Sequence, residues 1–239
     1  MQERFMKERA NQHKVKQGQH SMNVTKMKAK GIFFDLDGTI VDSREAYYEA
    51  ARTAFQAVGQ EPPKLKVALE IPRMLERKQP INNLIKGDTH KFLEVYLKTY
   101  YSITTEKTKP LPNVSTTLET LSRKAKLALI TMRAFPKESI IEELEHFRLA
   151  KYFTYVVTAL DTHKPKPSPE ALIKSVRALD VQMCDCIIVG DSISDMRAGK
   201  AAGSKTVAVL SGLFSYQELV EENPDLIIKD VTVLPKFIE

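Results

Sequence analysis

The stretch Gly31-Ile-Phe-Phe-Asp-Leu-Asp-Gly-Thr39 decides the fold, because a short apolar run leads directly into two acidic residues. An apolar run that ends in Asp35 is typical of a buried strand in a parallel sheet. Gly38 permits a sharp turn after this strand, and such a turn can bring Asp37 back over the strand end. The stretch therefore predicts a core strand with two carboxylates at its carboxyl end.

Similar apolar runs recur along the chain and alternate with segments of helical periodicity. Ile140, Leu144 and Phe147, for example, are three or four residues apart and share one face of a helix. Strands that alternate with amphipathic helices form βαβ units, and the pattern predicts an α/β fold with a Rossmann-like, doubly wound parallel sheet. The further predicted strands are residues 127–131, 186–190 and 206–210, with weaker candidates at 155–158 and 226–228.

The segment after Ser43 interrupts this alternation, since no strand pattern occurs within it. Apolar residues at helical spacing occupy the segment, and four prolines divide its middle into short helices. We therefore predict a small α-helical cap at residues 44–109, inserted into an α/β core formed by residues 30–43 and 110–239. Its position directly after the acidic turn indicates a lid over the active site.

Residues 1–29 form a predicted flexible basic tail, because they are rich in Lys, Gln, Asn and His and lack an apolar period. Residues 1–30 carry eight of the 36 basic residues and two of the 30 acidic ones, so the remaining chain has 28 of each and is neutral. One interpretation of the tail is a tether to nucleic acid or to an acidic surface. We favour the alternative that residues 1–26 are dispensable, or that translation starts at Met22 or Met27.

The composition excludes several classes of protein. Hydrophobic residues make up 43% and charged residues 28% of the chain, which is ordinary for a soluble globular protein. No run of about 18 apolar residues is present to span a bilayer, and the N-terminus lacks the apolar segment of a secretory signal. The two cysteines, Cys184 and Cys186, are too close in sequence to form a disulfide framework that stabilises the fold. Because proteins without disulfides suit a reducing compartment, we expect a cytoplasmic protein.

Polar side chains follow the predicted strands at the edge where parallel sheets bind ligands, beyond the carboxyl ends of the strands. Three carboxylates at one edge would repel one another unless a cation lay between them, and oxygen ligands alone suit Mg²⁺. The hydroxyl of Thr131 and the backbone N–H groups beyond it can bind phosphate oxygens, and a loop lysine can add positive charge. The predicted site comprises Asp35, Asp37, Thr131, Lys164, Asp191 and Asp195.

The motifs that carry these residues resemble the four motifs of the haloacid dehalogenase (HAD) superfamily. They occur in the family order, each at a predicted strand end. The acidic turn followed by a helical insert is similar to the phosphoglycolate-phosphatase-like branch, which has a small helical cap. The resemblance covers residues 31 to about 228. The motifs are Asp35-Leu-Asp-Gly-Thr39, Thr131, Lys164 within Lys-Pro-Lys-Pro, and Gly190-Asp-Ser-Ile-Ser-Asp195.

The resemblance implies a phosphate-monoester hydrolase that forms an aspartyl-phosphate. In the family mechanism Asp35 attacks phosphorus, and Asp37 protonates the departing alkoxide before it deprotonates the attacking water. Thr131 and Lys164 would bind the phosphoryl group. Mg²⁺ would be held by Asp35, Asp191 and the backbone carbonyl of Asp37, with Asp195 supporting the site.

Asp37 separates the chemistries of the family. A departing halide is a stable anion that needs no proton, whereas a departing alkoxide does need one. The resemblance implies that dehalogenase and phosphonate-cleaving relatives lack this aspartate. Asp37 therefore favours phosphate-ester chemistry.

Some positions near the site depart from the family pattern or have no assigned role. Thr131 is followed by Met132 and Arg133, where relatives often have a small polar residue; Arg133 either contacts phosphate or, as is commoner on such a loop, faces solvent. Asp42 and Ser43 are expected to end the turn and to cap the first helix of the insert. Charged residues of the insert are candidates for binding a substrate carboxylate or a second phosphate, although such residues are more often solvated. These residues are Arg73, Arg77, Lys78 and Lys86.

We therefore predict a Mg²⁺-dependent phosphatase that acts on a small phosphorylated metabolite, with phosphoglycolate as the first substrate to test. Two alternatives stay open. One is a phosphosugar mutase, in which the aspartyl-phosphate passes to a sugar and not to water. The other is a protein that binds nucleic acid or an acidic partner through the basic tail. For the enzyme itself we expect neither a membrane nor a nucleic-acid partner, and a monomer or weak homodimer.

Overall fold

The packed part of the chain begins slightly before the predicted core. A computed structural model of the protein describes residues 26–239, and most of the predicted tail lies outside the described residues. The N–H of Met27 donates to the carbonyl of Phe237 (2.7 Å), and the carbonyl of Met27 accepts from Glu239 (3.1 Å). Ala29 is buried. These residues were predicted to belong to the tail, but they pack against the C-terminal segment.

Six strands form one parallel sheet, and every strand predicted from the sequence is part of it. The sheet order is β5-β4-β1-β6-β7-β8, and two further short strands, β2 and β3, pair antiparallel outside it. This confirms the predicted α/β fold with a Rossmann-like parallel sheet. In chain order the strands are β1 (Gly31–Phe34), β2 (Val41–Asp42), β3 (Lys109–Pro110), β4 (Lys126–Ile130), β5 (Tyr155–Val157), β6 (Cys186–Gly190), β7 (Lys205–Val209) and β8 (Leu226–Ile228).

Strand β1 lies at the centre of the sheet because all four of its residues are apolar or small and are fully buried. Phe34 is level with Leu129 of β4 and with Val189 of β6, so these three strands end almost side by side. From β1 the chain adds β4 and β5 on one side, and then β6, β7 and β8 on the other. Ligands of open α/β sheets bind in the crevice at such a reversal of strand order.

Helices cover both faces of this sheet. Phe34 faces one apolar cluster and Phe33 the other, as expected for neighbouring residues of a strand. No helix in residues 26–239 has both the length and the apolarity required to cross a bilayer. The helices are α1 (Arg44–Ala57), α2 (Leu65–Glu76), α3 (Thr89–Lys107), α4 (Val114–Ser122), α5 (Lys137–His146), α6 (Glu170–Leu179), α7 (Ile193–Ala202) and α8 (Tyr216–Glu221).

Helices α1, α2 and α3 pack around an apolar cluster of their own, which includes Phe55, Ile71 and Phe92. Small side chains on α1, among them Ala50 and Ala54, allow its backbone to approach α3 closely. The chain enters and leaves this layer through the β2–β3 pair. That pair was not predicted, because strands of two residues have no periodicity from which to recognise them.

Candidate active site

Three buried carboxylates meet at the carboxyl ends of β1 and β6. Asp35 follows β1, Asp191 follows β6 and Asp195 lies in the first turn of α7; one carboxylate oxygen of each lies within 4.8 Å of the others. Asp195 is fixed because its Oδ2 accepts hydrogen bonds from the N–H (3.2 Å) and the hydroxyl (2.6 Å) of Ser192, the N-cap of α7. The structure therefore brings together three aspartates that the sequence predicts around a metal.

Burial makes this cluster unfavourable without a cation. It raises the pKa of Asp35 to about 8, a shift that Lys166 opposes and that Asp195 reinforces. Burial, followed by repulsion from Asp35 and Asp195, also raises the pKa of Asp191 well above its usual value. Carboxylate oxygens at this spacing suit a hard divalent cation such as Mg²⁺, whose charge favours the ionised forms. The side chains present therefore fit the metal that the resemblance implies.

Asp191 is held in one position by its surroundings. The Thr39 hydroxyl donates to its Oδ1 (3.3 Å), and the backbone N–H of Leu213 donates to its Oδ2 (3.2 Å). A Cβ at Gly212 would lie 1.6 Å from that Oδ2, and a Cβ at Gly38, where φ is +79°, would lie 2.7 Å from it. The turn after β1 and the loop after β7 thus form a cradle that any larger side chain would fill.

The lysine in this cluster is Lys166. Its Nζ lies 2.6 Å from Asp35 Oδ1, 2.6 Å from Asp195 Oδ1 and 3.2 Å from the carbonyl oxygen of Ile130. Burial opposes its charge, but attraction to the two carboxylates outweighs burial and raises the pKa of Lys166. Lys166 is therefore an ammonium group that bridges Asp35 and Asp195.

The predicted placement of Lys164 in the site is wrong, since this residue is exposed. Glu170, in the first turn of α6, accepts hydrogen bonds from the backbone N–H groups of His163 and Lys164 (3.1 Å each) and keeps this part of the loop at the surface. The pattern Lys-Pro-x-Pro occurs twice in overlapping registers, at 164–167 and at 166–169, and only the second directly precedes α6. That overlap is the sequence signal that identifies Lys166.

Asp37 lies in a network of hydrogen bonds with Arg133. Arg133 Nε donates to Asp37 Oδ2 (2.8 Å), and Arg133 Nη2 donates to Oδ1 (2.6 Å). The hydroxyls of Tyr100 (3.2 Å) and Ser43 also donate to Oδ1, so Ser43 does not make the predicted capping bond to helix α1. Burial alone would raise the pKa of Asp37, but Arg133, aided by Ser43 and Tyr100, lowers it. Asp37 is thus ionised in this arrangement.

Arg133 is 3% exposed, which contradicts the expectation that it faces solvent. Its Nη1 donates to Glu143 Oε2 of α5 (2.6 Å), and its guanidinium carbon lies 5.8 Å from the centre of the Tyr100 ring. Burial raises the pKa of Glu143, although Arg133 opposes the shift. The departure from the family pattern at Arg133 marked this position in the sequence, but no spacing pattern linked it to Asp37 or to Glu143.

Thr131 is buried just after β4. Its hydroxyl oxygen accepts a hydrogen bond from the backbone N–H of Arg133 (3.1 Å). The carbonyl of the preceding residue, Ile130, contacts Lys166. The contact between Thr131 and a phosphoryl group stays a prediction.

A cavity of about 250 Å³ lies over these side chains and is bounded by α1, α2, α3 and the loop after β7. None of the four cations predicted as substrate contacts in the insert lines this cavity. Arg73 Nη2 lies 2.5 Å from Glu218 Oε1, and Arg77 binds the same oxygen. The guanidinium groups of both arginines lie over the ring of Phe214, at 5.3 and 5.1 Å. These two arginines hold the helical layer against the sheet core.

Fold and site together define an α/β enzyme with a carboxylate cluster at the switch point of its sheet. The family model described as haloacid dehalogenase-like hydrolase matches residues 32–209. The chain belongs to this family, which confirms the resemblance drawn from its motifs.

Three known proteins illustrate the similarity. The chain is 30% identical over 219 residues to the provisionally named pyrophosphatase PpaX of Caldanaerobacter subterraneus subsp. tengcongensis, with 89% of this chain and 96% of the relative covered. It is 30% identical over 215 residues to the phosphoglycolate phosphatase of Aquifex aeolicus, with 87% and 96% covered. The crystal structure of a provisionally named beta-phosphoglucomutase from Thermotoga maritima matches with a TM-score of 0.67 at 26% identity, with 87% and 97% covered.

Proposed function

We propose that this HAD-like phosphatase is a Mg²⁺-dependent phosphate-monoester hydrolase that acts on a small metabolite through an aspartyl-phosphate on Asp35. One observation carries the proposal. Asp35 lies at the floor of the cavity in contact with Lys166, beside two further carboxylates that suit a divalent cation, and Asp37 is two residues away. Relatives named as a pyrophosphatase and as a phosphoglycolate phosphatase support phosphate as the transferred group.

In the first half-reaction, an oxygen of Asp35 forms a bond to phosphorus while the bond from phosphorus to the leaving oxygen breaks. Lys166 donates to Oδ1 of Asp35 and so places its charge beside the attacking carboxylate. Asp37 gives its proton to the leaving oxygen. Because Arg133 keeps Asp37 ionised in the present arrangement, Asp37 must gain a proton, and its contact with Arg133 must weaken, before this step.

In the second half-reaction, water attacks the phosphorus of the aspartyl-phosphate and gives a proton to Asp37. The Asp35–phosphorus bond breaks, which releases inorganic phosphate and restores the carboxylate. Lys166 places positive charge beside Asp35 throughout. Bound Mg²⁺, held by Asp35, Asp191, Asp195 and the backbone carbonyl of Asp37, would supply further positive charge to the transferred group.

The helical layer belongs to the proposal as a cap over the site. Its own apolar cluster, its connection through the short β2–β3 pair and the cavity beneath it support a cap at residues 44–109. We further place the enzyme in the cytoplasm, where the free thiols of Cys184 and Cys186 stay reduced. We propose a monomer or weak homodimer.

Phosphate release from a panel of compounds tests the proposal. The panel contains phosphoglycolate, sugar phosphates, nucleotides, pyrophosphate and p-nitrophenyl phosphate, each with Mg²⁺ and after chelation with EDTA. We expect release from at least one monoester, its loss on chelation and its recovery when Mg²⁺ is restored. Release that persists after chelation would contradict the metal requirement.

The mutase alternative differs only in the acceptor of the phosphoryl group. We test it as well, because the chain is similar to the Thermotoga protein. A mutase passes the group to a sugar hydroxyl, whereas a hydrolase passes it to water. The sugar phosphates are therefore also analysed for interconversion of isomers. Interconversion without phosphate release would replace the hydrolase assignment by the mutase.

A matched pair of lysine variants tests which lysine serves the reaction. Lys166→Met removes the ammonium that contacts Asp35 and is expected to lower kcat by about 10²- to 10³-fold, the usual cost of one charge-stabilising group. Lys164→Met is expected to leave kcat within about twofold, because substitutions at exposed positions seldom matter. Equal losses in the two variants would contradict the assignment of Lys166, provided that thermal unfolding shows both proteins folded.

A further inference from the structure

The wall of the cavity that the helices form is apolar and rich in tyrosine. The rings of Tyr47 and Tyr100 stack with centroids 5.0 Å apart and planes at 12°, and Tyr96 stacks on Tyr100 at 6.5 Å and 7°. Leu97 and Met132 line the same cavity and stay 40% and 36% exposed. Apolar surface that stays open inside a cavity favours a ligand that covers it with apolar area of its own.

The charges of the cavity disfavour a second anionic group on the substrate. Within residues 26–239 three cations line the cavity, and each is already paired: Arg44 binds Asp42, while Lys166 and Arg133 bind the aspartates described above. A carboxylate on the leaving group would find no unpaired cation among these residues and would lie near like charges. The carboxylates that line the cavity are Asp35, Asp37, Asp42, Glu76 and Asp191.

The volume of the cavity favours a small leaving group. A volume of about 250 Å³ lies below the range of roughly 300–1,000 Å³ that accommodates drug-sized ligands. A phosphoryl group with one ring matches this volume better than a nucleotide, which carries a sugar and a base. Tyr47 and Tyr101 line the cavity and are only partly buried, so they offer aromatic surface to such a ring.

We infer that the preferred substrate is a phosphate monoester whose leaving group is uncharged and contains a single aromatic ring. This inference rests on the proposed function and defines its substrate class. It makes phosphoglycolate, whose leaving group glycolate carries a carboxylate, a poor substrate of this chain.

Four esters of primary alcohols separate the effect of the ring from the effect of the charge. They are benzyl phosphate, 4-carboxybenzyl phosphate, 2-hydroxyethyl phosphate and phosphoglycolate. We expect benzyl phosphate to have the highest kcat/KM. Its value should exceed those of 4-carboxybenzyl phosphate and 2-hydroxyethyl phosphate by about tenfold or more, and that of phosphoglycolate by a larger factor. Equal values for all four, or a preference for phosphoglycolate, would overturn the inference and leave the proposed function intact. Turnover of none of the four or of any other monoester would overturn both.

A matched pair of leucine variants tests whether the missing cation sets the preference. Leu97→Lys places an ammonium at the cavity wall and is expected to raise the kcat/KM ratio of phosphoglycolate to 2-hydroxyethyl phosphate by about twofold to fivefold, as one added ion pair allows. Leu65→Lys, at a 53% exposed position of α2 outside the cavity, should leave this ratio unchanged. An unchanged ratio in Leu97→Lys would contradict the role given to charge.

Discussion

Replacement of Asp35 by asparagine is expected to lower kcat by about 10⁴-fold or more with every substrate, since loss of a covalent nucleophile removes the catalysed route. The amide retains the size of the side chain and can still occupy the site beside Lys166 and Asp195. It lacks the charge and the nucleophilic oxygen that form the aspartyl-phosphate. Steady-state phosphate release with the best substrate of the panel measures the loss.

Trapping of the intermediate makes this prediction specific to Asp35. Acid quenching of the wild-type enzyme during turnover of a ³²P-labelled substrate should leave protein-bound phosphate that hydroxylamine removes, as expected of an acyl phosphate. Asp35→Asn should trap none. Asp42→Asn serves as the control, because Asp42 lines the same cavity but pairs with the half-exposed Arg44. Bound phosphate in Asp35→Asn would contradict the assignment of the nucleophile.

A measurement of stability shows whether Asp35→Asn loses activity through its chemistry or through a folding defect. The folded-state pKa of Asp35 is about 8, above its ordinary value of 3.8. Between these values the folded metal-free protein binds more protons at this residue than the unfolded chain does, so the stability contributed here falls as pH rises. Asparagine does not ionise, so Asp35→Asn does not lose stability in this way as pH rises. The metal-free Asp35→Asn protein is therefore expected to unfold at the same or a higher temperature than the wild type at pH 8.

The fold and the carboxylates of the site could be predicted because both rest on local sequence patterns. Apolar runs of four or five residues that end in polar groups located the strands, and parallel strands bring their carboxyl ends to one edge. This pattern predicts that Asp35, Asp191 and Asp195 lie together, as they do in the structure. Gly38 marked the turn that carries Asp37, and its φ of +79° agrees with that reading.

The remaining partners could not be predicted because they depend on packing between distant segments. Lys164 and Lys166 are chemically identical and occupy the same Lys-Pro-x-Pro pattern, and only the contacts of Glu170 with the loop decide which one is buried. Arg73 and Arg77 looked like free cations of the insert, since Glu218 follows them by more than 140 positions. Sequence spacing has no information about such long-range pairs.

Substitution of Arg133 is expected to have the second large effect, which is a loss of stability. Arg133→Met leaves Asp37 and the buried Glu143 without their shared cation, and removal of one partner from a buried charge network costs about 3–5 kcal/mol in the free energy of unfolding. For a chain of this size the melting temperature should fall by on the order of 10 °C. Arg133→Lys should recover only part of the loss, because an ammonium cannot reproduce the guanidinium fork on Asp37. Chemical and thermal unfolding measure both variants.

An exposed arginine provides the matched control. Glu119 of α4 and Arg123, the C-cap of that helix, are also 2.6 Å apart, as Arg133 and Glu143 are, but the Arg123 side chain is 74% exposed and that of Arg133 2%. Arg123→Met should therefore cost less than about 1 kcal/mol, as is usual for surface ion pairs. Equal losses at the two positions would show that burial of the Arg133 network contributes nothing.

The pH dependence of these losses tests the role of Asp37 directly. Arg133 holds the folded-state pKa of Asp37 below its ordinary value of 3.8, so the stabilisation is present above about pH 4 and is lost as pH falls through the folded value. The difference in stability between the wild type and Arg133→Met should therefore shrink in acid. Without Arg133 the pKa of Asp37 rises, and the protonated form that serves the leaving group persists to higher pH. In Arg133→Met the fall of kcat/KM at high pH should therefore occur at a higher pH than in the wild type. An unchanged pH profile would mean that Asp37 does not supply the proton.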